Sequence, residues 1–209
     1  MNDTREKILQ EALLLFSKQG YAGVSMSCIA GQLQITKAAL YRHYKSKRDI
    51  FDAIIKRMEE YDRRRAHDDA VPEVSCDEDP QAYVNISPEN ICRFSLGQYR
   101  YWTADPFAAA FRKMVTLEQY HDEEMALLYE NYLQTGPLVY MEDIFRSFLS
   151  SGKQGKGLER LMALEFYGPM LFLIQATDHR ISAEEGERLL EEHFRRFFSI
   201  YFPEVKFHV

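Results

Sequence analysis

The sequence lacks the features of a secreted, zinc-stabilised or membrane-spanning protein. Its three cysteines, Cys28, Cys76 and Cys92, are too few and too scattered for a disulfide framework, and none forms the C-x-x-C pair of a structural zinc site. The most apolar run, residues 166–176, spans about half of a bilayer. The start is polar rather than basic and then apolar, unlike a secretory signal. These absences predict a cytoplasmic protein without a membrane segment.

Catalytic motifs are also missing. The chain has no H-E-x-x-H, no glycine-rich phosphate loop and no G-x-S-x-G. Two acidic residues stand beside histidines, in Asp178-His179 and Glu192-His193, but adjacent side chains point in different directions on a helix. We therefore expect no enzymatic activity, no catalytic residue, no cofactor and no bound metal.

Charge is distributed unevenly along the chain. The net charge is −6, yet residues 1–65 hold 13 Lys and Arg against 8 Asp and Glu, a net charge of +5, and the remainder has a net charge of −11. DNA is a polyanion, so it attracts the basic residues 1–65 and repels the acidic remainder of the chain. This distribution favours an oriented approach to DNA.

Strand-like alternation is nearly absent, and helical periodicity covers almost the whole chain, which predicts an all-α fold. Residues 1–65 fit a helix-turn-helix DNA-binding domain with a connecting fourth helix. Residues 66–87 are acidic and interrupted by proline, so we interpret them as a linker or mobile loop. Residues 88–209 predict a larger helical domain for ligand binding and dimerisation.

The segment from Ser25 to Tyr44 predicts the helix-turn-helix itself. Gly20 ends the first helix as a left-handed cap, Ser25 caps a second helix that ends near Leu33, and Thr36 caps a third from Lys37 to about Tyr44. A short third helix with polar side chains at its start can enter the major groove. The predicted DNA-binding residues are Ser25, Ser27, Thr36, Lys37, Ala38, Ala39, Tyr41, Arg42, His43, Lys45 and Lys47.

At these residues the sequence resembles the TetR family of transcriptional regulators, over about Thr4 to Met58. The resemblance is carried by Arg5-Glu6-Lys7-Ile8-Leu9, Ala12, Leu15-Phe16, Gly20-Tyr21, Val24-Ser25, Ile29-Ala30, Ile35-Thr36-Lys37, Leu40-Tyr41, His43-Tyr44-Lys45-Ser46-Lys47 and Ile50-Phe51. It implies a dimeric, usually repressive regulator that a small ligand releases from a palindromic operator. It implies base-side positions at Lys37, Ala38, Ala39 and Arg42, and phosphate-side positions at Ser27, Tyr41 and Lys47.

One position departs from the family pattern. Gln34 stands in the turn where the family usually has glycine with a positive φ. A non-glycine residue in that conformation costs about 1 kcal/mol, so we expect an altered or strained turn.

The C-terminal part predicts a dimer and an apolar pocket. Residues 161–176 are apolar nearly all round, so that helix must bury two faces, and the last helix is similar. Two such helices from each subunit would form a four-helix bundle. The predicted interface residues are Phe166, Met170, Leu173, Phe194, Phe197, Phe198 and Tyr201. The predicted lining of a pocket for a small hydrophobic or aromatic molecule is Tyr99, Trp102, Phe107, Met114, Tyr167 and Met170.

Two alternatives stay open at this stage. One is a metal- or redox-responsive regulator: a cation could be bound by His67, Asp68, Asp69, Cys76, Asp77, Glu78 and Asp79 or by His121, Asp122, Glu123 and Glu124, and Cys76 in the mobile loop could act as a redox sensor. The other alternative is an interaction protein that does not bind DNA.

Overall fold

The computed structural model describes residues 2–68, 75–83, 86–150 and 157–203. Every regular element in these ranges is helical, which confirms the all-α fold class. The elements are α1 (Asn2–Gly23), α2 (Met26–Gln32), α3 (Lys37–Tyr41), α4 (Lys47–Asp68), a 3₁₀ helix (Pro80–Tyr83), α5 (Pro88–Ala104), α6 (Pro106–Glu118), α7 (Glu123–Leu133), α8 (Thr135–Ser150), α9 (Leu158–Ala176) and α10 (Ala183–Tyr201).

Hydroxyl caps fix where several helices begin. The side-chain oxygens of Ser25, Thr36, Ser87 and Ser182 each accept the N–H three residues later. This interaction satisfies a backbone donor that lies too early in the helix to have an intrahelical partner. The interaction spans only three residues, so residue type and spacing predict it: Ser182, with Glu185 three residues later, predicts the start of α10 as Ser25 and Thr36 predict those of α2 and α3. All three starts are confirmed.

Several predicted boundaries need correction. The backbone of α1 leaves helical geometry at Gly20, with φ +74°, but helix resumes to Gly23. Helix α3 ends at Tyr41, three residues earlier than expected. The helical periodicity of residues 123–150 predicts one helix with a kink at Gly136-Pro137, whereas the chain forms α7 and α8 with a break at Gln134. Pro137 therefore lies in the first turn of α8, where its missing N–H costs nothing.

The predicted linker, residues 66–87, has more structure than expected in its described part. Helix α4 continues to Asp68, and the 3₁₀ helix follows Ser75–Asp79, while residues 69–74, 84 and 85 lie outside the described residues. Cys76 and Tyr83 are buried, and Arg146 of α8 forms ion pairs with Asp77 and Asp143. The described part of the segment is thus packed on α8. The serine- and glycine-rich residues 150–157 predict a flexible loop, which lies mostly outside the described residues.

Contacts divide the chain into two compact units. The first unit combines Met1–Asp68 with Pro106–Tyr129, and the second combines Asp69–Asp105 with Glu130–Val209. Helix α6 and the part of α7 up to Tyr129 therefore group with the helix-turn-helix, whereas the sequence interpretation assigned residues 88–209 to one domain. The core of the first unit is built mainly from Ile8, Ala12, Phe16, Ile29, Leu40, Ile50 and Ile54. The core of the second is aromatic, with Phe145, Phe166, Phe194, Phe197 and Phe198 in mutual ring contact.

In the described ranges, no helix combines the length and apolar character that crossing a bilayer requires.

Candidate nucleic-acid interface

The turn between α2 and α3 is tightly constrained by backbone hydrogen bonds. Ile35 N donates to Ala30 O at 3.0 Å, and Gln34 N donates to Gly31 O at 3.1 Å. Gln34 has φ +55° and, within the described ranges, is the one non-glycine residue in the left-handed region. Gln34 thus adopts the positive φ for which glycine is favoured, so the turn keeps the family geometry and is not rebuilt around the different residue.

Helix α3 and the turn after it present an exposed row of polar and small side chains. Lys37, Ala38, Arg42 and Lys45 are exposed. Within the described part of the chain, no hydrogen bond or ion pair engages the side-chain nitrogens of the three cations. Tyr41 is about half exposed, at 49%. These side chains can therefore reach a ligand in solvent without breaking an internal contact.

The hydroxyls predicted for this surface have different surroundings. Ser25 Oγ and Thr36 Oγ1 accept Cys28 N (3.2 Å) and Ala39 N (3.1 Å) as helix caps, so both side chains also have a structural role. Ser27 is exposed, whereas Ala39 and His43 are half-buried. Cys28 is exposed beside Ser25, and the hydrogen bond from that hydroxyl lowers the pKa of the thiol.

Lys47 lies apart from the α3 row, at the first position of α4. Its Nζ donates to Tyr21 O at 2.7 Å and lies 4.3 Å from the centre of the Tyr21 ring. A longer contact, 3.5 Å, joins Nζ to Ala22 O. Partial burial lowers the pKa of the ammonium, and the nearby Glu118 carboxylate opposes that shift. The start of α4 is further fixed by Asp49, which accepts Lys45 N at 2.9 Å and Ser46 Oγ at 3.0 Å.

Sequence reasoning missed the residues of α6 and α7 that hold this region. Glu118 Oε1 accepts Tyr21 N at 3.0 Å, and the Glu124 carboxylate accepts two hydrogen bonds from Arg48, at 2.6 and 2.8 Å. The partners are 97 and 76 residues apart in the chain. No local signal in the sequence could have paired them.

The six predicted ligand-binding residues are divided between the two units. Phe107 and Met114 belong to the first unit, and Tyr99, Trp102, Tyr167 and Met170 belong to the second. All except Phe107 are buried. The hydroxyls of Tyr99 and Tyr167 donate to Ala183 O (3.2 Å) and Leu133 O (2.7 Å), so these groups act as internal hydrogen-bond donors of the second unit.

A cleft of about 290 Å³ in the first unit contains none of those six residues. It lies between α1 and α4 and is lined by Arg5, Glu6, Leu9, Tyr44, Ala53, Lys56, Arg57 and Glu60. Arg57 forms an ion pair with Glu6, and its guanidinium stacks over Phe107 at 4.2 Å. The charges that line the cleft are of both signs and partly paired.

The alternative sites based on cysteine and acidic residues gain no support. Burial, reinforced by the Asp143 carboxylate, raises the pKa of the Cys76 thiol, which makes the reactive thiolate rarer. Among the described residues, which include His121-Asp122-Glu123-Glu124, no group of three or more His, Cys, Asp or Glu side chains could hold a metal ion. Part of the acidic loop, residues 69–74, lies outside the described residues.

The structure corrects the residues predicted for a dimer interface. Phe166, Met170, Leu173, Phe194, Phe197 and Phe198 are buried in the core of the second unit, so they have no surface to offer a second subunit. Tyr201 is half-buried and donates to Glu165 Oε2 at 2.5 Å. The exposed apolar residues of these two helices are instead Leu161, Leu164 and Phe172 on α9, and Leu189 and Ile200 on α10.

Comparisons with known proteins match the N-terminal part of the chain. The family model for "Bacterial regulatory proteins, tetR family" matches residues 8–54. The negative transcriptional regulator IcaR of the biofilm operon icaADBC, from Staphylococcus aureus strain Newman, is 40% identical over 52 residues, which cover 25% of this chain and 28% of that protein. The transcriptional regulator AcrR of Shigella flexneri is 44% identical over 52 residues, 25% of this chain and 24% of that protein. The chain thus matches about a quarter of the length of these relatives.

Solved structures resemble the whole chain. A TetR-family regulator from Bordetella parapertussis has a TM-score of 0.65 at 16% identity, over 94% of this chain and 95% of that one. A putative transcriptional regulator from Saccharomonospora viridis, in complex with choline, has a TM-score of 0.63 at 16% identity, over 97% and 98%. At this identity the likeness shows the fold alone.

Proposed function

We propose that this chain is a member of the TetR family of bacterial regulatory proteins, whose members are transcriptional regulators rather than enzymes, and that it is a repressor that binds double-stranded DNA through α2 and α3. The observation that carries the proposal is the exposed row on α3 and the turn after it, in which Lys37, Arg42 and Lys45 have no internal partner among the described residues. A capped helix with solvent-exposed cations at this position suits the major groove and its phosphate edges.

The residues of this surface take two roles in the proposal. Lys37 and Arg42 read base edges, and Ala38 and Ala39 allow close approach and can contact a thymine methyl. Ser27, Tyr41 and Lys47 contact phosphate oxygens, which fix the orientation of the protein on the duplex. Thr36 and Ser25 support the surface chiefly as helix caps.

We further propose that the DNA-bound form is a homodimer on a palindromic site, with the interface on the outer faces of α9 and α10. Leu161, Leu164, Gly168 and Phe172 are exposed and recur at intervals of three and four residues, so they form one stripe along α9. Gly168 has open space where a side chain would lie, which permits close approach of a second helix. An exposed apolar stripe of this kind favours a partner surface.

Release from DNA by a small apolar or aromatic molecule is the third part of the proposal. It is supported by the family and by the aromatic interior of the second unit, in which Trp102 contacts the rings of Tyr101 and Tyr132 at 5.0 and 6.3 Å. Aromatic faces bind apolar molecules and organic cations alike, and the Saccharomonospora regulator of the same fold was solved with choline.

Binding of the purified chain to its own upstream intergenic DNA tests the DNA-binding part. We expect retention of a specific fragment, with affinity that falls steeply as salt rises. Arg42→Ala should reduce the preference for that fragment over random DNA, since a base contact is worth about 1–3 kcal/mol of discrimination. Lys47→Ala should weaken both DNAs alike and lower the salt slope by about one.

Arg180→Ala is the matched control, because it removes an exposed cation from the turn between α9 and α10, outside the predicted DNA surface and outside the helix faces proposed for the dimer. It should leave both affinities unchanged. Equal losses from Arg42→Ala on specific and random DNA would show that Arg42 does not read bases. Failure of the wild-type chain to retain any fragment at low salt would favour the alternative of an interaction protein.

A further inference from the structure

The end of α1 and the start of α4 meet at a corner centred on Tyr21. Gly20 turns the backbone out of helical geometry, and Tyr21 then packs its ring between Phe16 and Phe51, at centroid distances of 5.1 and 5.2 Å. Glu118, the last residue of α6, accepts the Tyr21 N–H at 3.0 Å. The corner is therefore held by a side chain from a distant part of the sequence.

Gly20 leaves room for the Glu118 carboxylate. A Cβ atom at position 20 would collide with Glu118 Oε1. The absence of a side chain at this position thus serves two purposes, since it permits the positive φ and admits the carboxylate to the Tyr21 amide. A residue with a side chain at position 20 would strain the backbone, displace the Glu118 carboxylate, or do both.

The Tyr21 backbone is held on both sides. Its N–H donates to Glu118, and its carbonyl accepts from Lys47 Nζ at 2.7 Å. An ammonium group has three N–H donors, and the carbonyls of Tyr21 and Ala22 engage two of them in this corner. Among the described residues no further acceptor engages the third N–H of Lys47, which leaves it for an acceptor in solvent.

We propose that Glu118 is a positioning residue for DNA binding: it fixes the Tyr21 backbone, which in turn holds the Lys47 ammonium so that its remaining N–H can meet a phosphate oxygen. This inference rests on the proposed function, in which Lys47 contacts the DNA backbone. Glu118 itself touches no DNA in this arrangement. It acts through Tyr21, and its removal changes the affinity only as far as Lys47 contributes to it.

A second link between the same elements supports the inference. Arg48, the residue after Lys47, forms a forked pair of hydrogen bonds with Glu124 and a third with Asp52 at 2.7 Å. Two-pronged pairs of this kind fix geometry as well as adding free energy. The start of α4 is thus linked to residues 118–124 twice, directly by Arg48 and through Tyr21 by Lys47.

A double-mutant cycle on the full chain tests the proposal, with a short duplex of random sequence at low salt as the probe, since phosphate contacts dominate affinity there. Glu118→Ala should weaken binding about tenfold, the loss of one hydrogen bond to a charged group. In a Lys47→Ala background the same change should have an effect of less than about twofold, because the residue through which Glu118 acts is absent.

Two further variants separate the hydrogen bond from the charge. Glu118→Gln keeps an oxygen acceptor for Tyr21 N and should stay within about threefold of wild type. Glu123→Ala removes an exposed carboxylate five positions away and should not weaken binding, since losing negative charge favours a polyanion. Equal losses from Glu118→Ala with and without Lys47, or no loss at all, would overturn the proposal.

Amide hydrogen exchange at Tyr21 provides a readout that needs no DNA. Glu118→Ala should speed exchange of that amide about tenfold, and Glu118→Gln and Glu123→Ala should leave it near wild type. Unchanged exchange in Glu118→Ala would reject the positioning role by itself. If the wild-type chain binds no duplex while Tyr21 exchange responds as expected, the corner holds as described and the DNA-binding function is what fails.

Discussion

At the scale of single residues, Gln34 is the clearest case of local strain beside the candidate DNA-binding surface. Its φ of +55° is a conformation that costs a residue with a side chain about 1–2 kcal/mol of folding free energy. Glycine avoids this cost, but its greater freedom in the unfolded chain lowers stability by about 0.5–1 kcal/mol. We therefore expect Gln34→Gly to raise the free energy of unfolding by about 0.5–1 kcal/mol, measured by urea denaturation.

Gln32→Gly is the matched control for this substitution. Gln32 is exposed like Gln34 but lies in the last turn of α2 with helical geometry, so glycine there should lower the free energy of unfolding by about 0.5–1 kcal/mol. Opposite signs for the two variants identify the backbone conformation as the cause. A loss at both positions would mean that Gln34 makes a compensating contribution through its side chain.

At the scale of the element, helix starts were predictable from sequence and the contacts that hold the helices together were not. Thr36 and Ser182 cap residues only three positions away, so residue type and spacing suffice. The Glu118–Tyr21 contact depends instead on how α6 packs on α1, and nothing near Glu118 in the sequence distinguishes it from other surface acids. The break at Gln134 was missed because Gly136-Pro137 fits a kink and a new helix start equally well.

Helix α9 also contains a proline whose consequence involves a second helix. Pro169 has no N–H, so it leaves the carbonyl of Glu165 without its intrahelical donor. On the facing helix α10, His193 Nε2 lies 3.2 Å from Phe166 O. Because a carbonyl oxygen only accepts hydrogen bonds, Nε2 must carry the hydrogen. The imidazole therefore supplies a donor next to the place where Pro169 interrupts the backbone hydrogen bonds of α9.

The burial of His193 predicts a pH-dependent stability. Burial lowers the pKa of the imidazole below its usual value, against the opposing influence of the Phe166 and Glu165 carbonyls and the Glu165 carboxylate. The unfolded chain therefore binds more protons just below about pH 6.5, so the free energy of unfolding falls as the pH drops through this range towards the folded-state pKa. His193→Gln, which keeps a donor but does not titrate, should flatten this dependence in urea denaturation between about pH 7.5 and 5.5.

His179→Gln serves as the comparison, since His179 is exposed in the turn between α9 and α10. Its denaturation curves should follow the pH dependence of the wild type. If His193→Gln retains the full wild-type dependence, the groups that titrate on unfolding lie elsewhere in the chain.

At the scale of the whole molecule, the sequence indicated that α9 must bury two faces but could not say which face lies inside. Because apolar residues surround the helix, its periodicity gives no direction, and the residues chosen for the dimer interface were those that the chain buries itself. Accessibility in the folded chain resolves the choice. It leaves Phe172 as the most exposed apolar residue on α9, at 70%.

Phe172→Glu is therefore the substitution that tests the proposed assembly. A charge in the middle of an apolar contact between two copies would be desolvated without a partner, so the dimer should dissociate. Sedimentation at micromolar concentration should give the 24.6 kDa of one chain, against twice that mass for wild type. DNA affinity should fall by about a hundredfold, because the second DNA-binding domain of a dimer binds at a high effective concentration once the first is bound, and a monomer lacks this gain.

Val139→Glu is the control, since it places the same charge on an exposed apolar position of α8. It should leave both mass and DNA affinity unchanged. A dimer that survives Phe172→Glu would move the interface away from the α9 stripe, and a monomeric wild type that still binds DNA tightly would remove the dimer from the proposed function.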